Sequence, residues 1–240
     1  MSLLFISDLH LHPSRPEATA GFYRFLQEQA RTADALYILG DFFDSWIGDD
    51  DDEPLGIEVA EHLHALSKTG VAIFLMHGNR DFLLGEDFAR RAGVTLIADP
   101  VVININGRQA LLLHGDSLCT RDSAYMAMRE QFRNRAWQAQ ILAQPLAVRR
   151  ALAEQLRQQS KTMNSMKADD IMDVTPEAVV QMLEQHQVDL MIHGHTHRPE
   201  THEITAGGKS CQRIVLGDWH EYGWCLRADN SGLLLESWLL

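Results

Sequence analysis

The sequence predicts a layered α/β fold, and three observations predict it. Short apolar runs alternate with helical stretches through the first hundred residues. Glycine-containing turns punctuate the second half at Asn106-Gly107, Gly207-Gly208 and Asn230-Ser231-Gly232. Hydrophobic residues make up 45% of the 240 and charged residues 22%, enough to bury a core without staples. Leu3–Ser7, Leu36–Leu39, Val71–Met76, Gln109–Leu113 and Val188–Ile192 are expected as buried strands, being compact apolar runs. Helices are expected near Pro16–Arg31, Leu55–Ser67, Phe82–Ala92 and Pro176–Gln185. Pro16 and Pro176 suit a first turn, and Thr175 suits an N-cap. Val101–Ile105 pairs with Gln109–Leu113 across Asn106-Gly107, and the other two turns place further hairpins near the C-terminus.

The segment from Arg121 to Lys167 has no strand signal and reads as helices. It carries nine basic residues against three acidic, a net of +6 in a chain whose total is −12. A basic helical insert in an acidic protein suggests an anionic ligand or surface; a solvated helical face gives the same pattern. The overall charge disfavours nucleic acid, which needs clustered positive charge. Cys119, Cys211 and Cys225 are too few and scattered for a disulfide framework or thiolate zinc site and fit a reducing compartment. No basic leader or cleavage site opens the chain, and no apolar run approaches the roughly 18–20 residues that span a bilayer. A cytoplasmic location is expected, with attachment to a membrane surface left open.

Five segments put Asp, Asn or His just after an apolar run: Asp8-Leu9-His10, Gly40-Asp41, Gly78-Asn79-Arg80-Asp81, His114-Gly115-Asp116 and Gly194-His195-Thr196-His197. Sites in α/β sheets form where strand carboxyl ends converge. Residues i and i+2 of an extended chain point the same way, which would pair Asp8 with His10 and His195 with His197. The adjacent glycines permit tight turns. Imidazole nitrogen with carboxylate or amide oxygen, and no thiolate, suits Mn²⁺, Zn²⁺, Fe²⁺ or Co²⁺. Seven candidate ligands, Asp8, His10, Asp41, Asn79, His114, His195 and His197, are too many for one tetrahedral ion and suit two ions sharing a carboxylate. Two such ions clamp a phosphoryl group and supply a nucleophile at neutral pH. A lone histidine is more often structural, so His62, His64, His77, His186, His202 and His220 are assigned no ligand role, and His193 is left out as well.

Asp8-x-His10, Gly40-Asp41-x-x-Asp44, Gly78-Asn79-x-Asp81, His114-Gly115 and Gly194-His195-x-His197 resemble, in order, the signature of the calcineurin-like metallophosphoesterases. The resemblance implies a four-layer α/β/β/α sandwich with a dinuclear centre. Asp8, His10, Asp41 and His197 would bind one ion; Asp41, Asn79, His114 and His195 the other, with Asp41 bridging. Asp44 and Asp81 would orient ligand imidazoles or turns.

One departure is informative. The family pattern places His after the Asn of the third block, where this chain has Arg80. Arginine cannot donate a proton at neutral pH but can hold a phosphate oxygen. Arg80 therefore favours a leaving group that needs no proton, such as a phosphate released from a pyrophosphate. The longer matches Ser7–Leu11, Leu39–Asp50, His77–Leu83, His114–Thr120, Ile171–Val174 and Ile192–Pro199 are similar to the bacterial pyrophosphatases of lipid A synthesis. That similarity spans essentially the whole chain as one domain, 1–240, with residues 121–167 as a helical lid. It implies cleavage of UDP-diacylglucosamine into UMP and the acylated sugar 1-phosphate, lipid X. Water would attack the UMP-side α-phosphorus with two Mn²⁺ ions, at the cytoplasmic side of the anionic inner membrane and with no obligate protein partner. Asp41, Asn79, Arg80 and His195 would be catalytic. Asn79, Arg80, Asp122, Ser160, Asn164, Lys167 and His195 would contact substrate. Phe132, Trp137, Ile141, Leu142, Leu146, Val148, Leu152 and Leu156 would supply an apolar trough for the acyl chains, or else pack the lid on the core. Another dinuclear-metal phosphodiesterase or phosphatase is the alternative.

Overall fold

Apolar strands buried on both faces need a layer on each side. The computed structural model describes residues 1–165 and 173–240, with the backbone alone for 160–165. The parallel strands β1 (Leu3–Ile6), β2 (Ala35–Leu39), β3 (Ala72–Met76) and β4 (Thr95–Ile97) join the hairpin formed by β10 (Tyr222–Asp229) and β11 (Gly232–Leu239) in one sheet, ordered β11-β10-β1-β2-β3-β4. The second sheet contains β5 (Val101–Ile105), β6 (Arg108–Leu113), β7 (Leu190–His193), β8 (Glu200–Ala206) and β9 (Lys209–Val215), ordered β5-β6-β7-β9-β8. Side-chain alternation divides the core. Leu3 and Phe5 face the second sheet, while Leu4 and Ile6 face helices α1 (Pro16–Glu28), α2 (Pro54–Ser67) and α3 (Glu86–Ala92). In β6, Ala110 and Leu112 face the first sheet, while Leu111 and Leu113 face the outer helix Pro176–His186. These are the four layers α/β/β/α.

Most of the expected elements form, with shifted ends. The helix expected over Phe82–Ala92 starts only at Glu86. Its cap comes from another loop: the Asp49 carboxylate accepts from Gly85 N (2.9 Å) and Phe88 N (2.8 Å). Thr175 takes the N-cap position of the outer helix as expected, but its hydroxyl accepts from Thr120 (2.9 Å) rather than from a helix N–H.

Between β6 and the outer helix lie α4 (Ser123–Phe132), α5 (Arg135–Leu142) and α6 (Leu146–Ser165). Neither α4 nor α5 has a buried residue, so these two helices stand outside the three cores, and the outer helix is α7. Among the described residues, most arginines of this segment are paired within the molecule. Arg129 donates to Asp116 (2.8 Å) and Asp99 (3.3 Å), and Arg133 lies 3.8 Å from both. Arg121 pairs with Glu177, Arg150 with Asp51 and Asp52, and Arg157 with Asp44. Arg149 is 3% exposed and donates to Asp50 Oδ1 (2.7 Å), Ile47 O (2.6 Å) and Gln144 O (2.9 Å). The one acidic run of the sequence, Asp49–Glu53, is thus the dock for α6 and the cap of α3.

Gly48 makes this dock possible. Its φ is +136°, and a Cβ there would stand 2.2 Å from the Arg149 guanidinium. Gly48→Ala is expected to cost about 1–3 kcal/mol from backbone strain and loss of the Arg149 contacts, measurable as a lower Tm in thermal unfolding.

Candidate active site

The ligand candidates follow the carboxyl ends of parallel strands from both sheets: Asp8 and His10 after β1, Asp41 after β2, Asn79 after β3, His114 after β6, His195 and His197 after β7. The structure brings all seven together. Asp8, His10 and His197 form one triad and Asp41, His114 and His195 another, with the potential ligand atoms of each within 4.8 Å of one another. His114 Nε2 lies 3.0 Å from Asn79 Oδ1, which joins Asn79 to the second triad. Asp41 faces both: Oδ2 is 3.9 Å from His10 Nε2, and Oδ1 is 3.7 Å from His114 Nε2.

The backbone that presents these groups is not extended. Asp8, His10, Asp41, His195 and His197 all have φ between +48° and +69°. Such left-handed conformations are uncommon outside glycine and cost of order 1 kcal/mol or more each. The simple i, i+2 rule therefore fails for His195 and His197, which turn into different triads. Gly78 allows the closest approach. A Cβ on it would lie 2.1 Å from Asp41 Oδ1, so any side chain would displace the shared carboxylate.

The residues present fit a pair of divalent cations, and unpaired buried atoms show it. Asp8 is fully buried; its Oδ2 accepts from Ser7 Oγ (2.6 Å) and His195 N (2.9 Å). Its Oδ1 has no hydrogen-bond partner and faces His197 Nε2 at 3.4 Å and His10 Nε2 at 4.0 Å. A carboxylate oxygen so buried needs a positive charge beside it. His114 Nδ1 donates to Leu39 O (2.9 Å), which aims the Nε2 lone pair at Asn79 Oδ1. Two acceptors in contact call for a cation between them. Without one a proton takes that place: burial opposes the charge, but Asp41, Asp8 and Asp116 push His114 up to about 9. Burial holds His10 down at about 3 and His195 at about 4, leaving both as neutral donors of lone pairs.

Other groups hold the ligands. Asp81 accepts from Phe42 N and Gly78 N (both 2.7 Å), orienting two ligand loops as expected. Asp44 does not orient an imidazole; its carboxylate faces Arg80 and Arg157, because it lies on the side of the loop turned toward α6. Three supporting residues were missed by sequence reasoning. Asp218 lies 3.7 Å from His197 Nδ1, a carboxylate behind a ligand imidazole. Arg15 donates to the carbonyls of Leu9, His10 and Trp219 beneath the first triad. Tyr125 of α4 lies 5.8 Å, centroid to centroid, from the His195 ring and donates to Asp116 Oδ2 (2.7 Å). These contacts join distant loops, and no motif marks them.

An open cleft over the two triads is lined by Asn79, Arg80, Asp122, Tyr125 and His195 among others. Asp122 is also the N-cap of α4, accepting from Tyr125 N (3.1 Å). At Asn79, Arg80 and Tyr125 the cleft meets a second space running beneath α4–α6. Phe132, Trp137, Ile141, Leu152 and Leu156 line it as expected, together with the unforeseen Trp46, Ile47, Phe82, Leu83 and Met128. Leu142, Leu146 and Val148 do not, Leu142 and Val148 being 41% and 49% exposed. The side chains of Ser160 and Asn164, and all of Lys167, lie outside the described residues.

A model of the calcineurin-like phosphoesterases matches residues 1–199, and the chain belongs to this family of hydrolases. It is 64% identical to the UDP-2,3-diacylglucosamine hydrolase of Cellvibrio japonicus (strain Ueda107), over 99% of both chains. It is 54% identical to the protein of the same name from Stenotrophomonas maltophilia (strain R551-3), over 99% of this chain and 98% of that one. A solved archaeal phosphodiesterase shares the fold, with a TM-score of 0.50 at 14% identity over the whole of both chains.

Cations that compensate Asp8 and Asp41 should stabilise the fold. A saturating divalent ion, at a hundredfold over its Kd, is expected to add about 2.7 kcal/mol relative to chelated protein, seen as a higher Tm by calorimetry. Asp41→Ala should lose most of that increment, since both triads share this residue, and His12→Ala should keep it.

Proposed function

We propose that the chain hydrolyses the pyrophosphate bond of UDP-2,3-diacylglucosamine, giving UMP and 2,3-diacylglucosamine 1-phosphate. The observation that carries this reading is the junction at Asn79 and Arg80, where a cleft able to hold two metal ions opens into an apolar trough. A substrate that is a pyrophosphate at one end and two acyl chains at the other needs both spaces in contact. The names of the relatives at 64% and 54% identity support the same substrate.

Asp8, His10, Asp41 and His197 would hold one ion, and Asp41, Asn79, His114 and His195 the other, Mn²⁺ being our assignment for both. The ions when bound supply a nucleophile at neutral pH and neutralise charge on the phosphoryl group. Asn79 and His195 orient the UMP-side α-phosphoryl in the cleft. Arg80, at the mouth of the trough, holds the sugar phosphate as its negative charge grows. That group leaves as an anion, so no proton donor is required where relatives of the general pattern have histidine. Asp122 faces the cleft, where it can accept hydrogen bonds from the sugar, and Ser160, Asn164 and Lys167 complete our set of substrate contacts. Residues 121–167 act as the lid over the acyl chains, within a single domain of residues 1–240.

Among the described residues, no helix is long and apolar enough to cross a membrane. We place the enzyme at the cytoplasmic face of the inner membrane. Internal pairing neutralises most lid arginines, so docking there relies on the exposed Leu142, Val148 and Arg135 rather than on net charge.

The testing measurement is UMP release from UDP-2,3-diacylglucosamine with and without Mn²⁺, against UDP-N-acetylglucosamine as the unacylated control. Metal-dependent release from the acylated substrate alone is expected; hydrolysis of generic phosphodiesters in its place would leave the family chemistry and overturn the substrate. Trp137→Ala should raise KM for the acylated substrate several-fold with little change in kcat, as expected for a residue that binds acyl chain away from the reacting bond. Flotation with anionic liposomes should carry the native protein and less of a Leu142→Ser, Val148→Ser variant.

A further inference from the structure

Asp44 stands between two guanidinium groups from different parts of the fold. Its main-chain N–H donates to Leu11 O (3.1 Å), so the residue belongs to the rigid body of the molecule. One carboxylate oxygen is in close contact with Arg157 of α6, and the other lies 3.8 Å from Arg80 Nη1. The Asp44 side chain is 16% exposed, Arg80 24% and Arg157 29%. All three line the trough, whereas Arg80 alone of the three also lines the metal cleft.

The main chain of Arg80 is fixed at both ends of the residue. Its N–H donates to Asp41 Oδ1 (2.8 Å), and its carbonyl accepts from Trp46 N (3.2 Å). What remains to be set is the direction of the side chain. A carboxylate at 3.8 Å is beyond hydrogen-bonding distance but attracts the guanidinium, so it aims the group without occupying its donors. Arg157 takes the close contact with Asp44 and thereby keeps that carboxylate from closing on Arg80 as a bidentate pair.

We propose that Asp44 is a positioning residue that aims Arg80 at the sugar-phosphate end of the substrate, and that Arg157 couples this orientation to the seating of α6. Lid and phosphate-binding arginine thus act as one unit through a single shared carboxylate. The inference rests on the substrate reading given above. Absence of UMP release by the unsubstituted enzyme would overturn that reading, and is seen before any variant is compared.

The test compares backgrounds. Asp44→Asn and Arg157→Gln are each expected to lower kcat/KM for UDP-2,3-diacylglucosamine by about tenfold, the range found when a supporting partner is lost. The double variant should be no worse than the weaker single within about twofold, because both act through one group. In an Arg80→Lys background, which keeps a positive charge without the planar fork, neither substitution should change the rate by more than about twofold. Asp44→Glu, which keeps the carboxylate, should restore most of the rate in the normal background. Losses that persist undiminished with Arg80→Lys, that multiply in the double variant, or that are absent altogether would overturn the proposal. Thermal unfolding of each variant separates a folding defect, and Arg157→Gln on the surface of α6 carries the test if Asp44→Asn folds poorly.

Discussion

Two carboxylates, Asp8 and Asp41, are buried at 0% and 2% exposure where the two sheets end, and much of the structure answers that burial. An ionised carboxylate away from water is costly unless charge and hydrogen bonds compensate it. Main-chain N–H groups of His195 and Arg80 do part of this, and the Ser7 hydroxyl another part. What remains, the unpaired Asp8 Oδ1 and the imidazoles around it, would be satisfied by bound divalent cations. Five residues held at positive φ are the backbone's contribution, strain concentrated where the ligands must converge.

A second electrostatic arrangement mirrors the first at the surface. Among the described residues, helices α4–α6 add none to the three hydrophobic cores and are held by guanidinium–carboxylate contacts instead. Arg129 and Arg133 grip Asp99 and Asp116 behind His114; Arg149 and Arg150 grip the 50–52 loop on the far side of the cleft. The roof therefore spans the cleft from two feet and leaves an apolar space beneath. Most of these pairs are part-buried, so they order the helices while contributing modestly to stability.

How much of this was legible in sequence depends on the range of the interaction. Compact apolar runs and Asn-Gly or Gly-Gly turns placed most strands, because both signals are local. The seven ligand candidates were legible because each follows a strand whose carboxyl end must point into the same edge. The start of α3 was not, since its cap, Asp49, comes from another loop. The role of Asp44 was misjudged for the same reason: its partners arrive from β3's loop and from α6.

The sequence by itself determined the α/β class, the donor set of nitrogen and oxygen, and the placement of a basic helical insert, all properties of residue type and near-neighbour spacing. Spacing alone paired His195 with His197, and the tertiary structure turns them into different triads, because left-handed turns override extended alternation. The tertiary structure also decided which of the insert's arginines meet carboxylates of the same chain, Arg149 and Arg150 reaching the acidic run and Arg129 and Arg133 reaching Asp99 and Asp116. Charge composition says how much of each sign exists, and only the three-dimensional path of the chain says which charges lie within a few ångströms of each other.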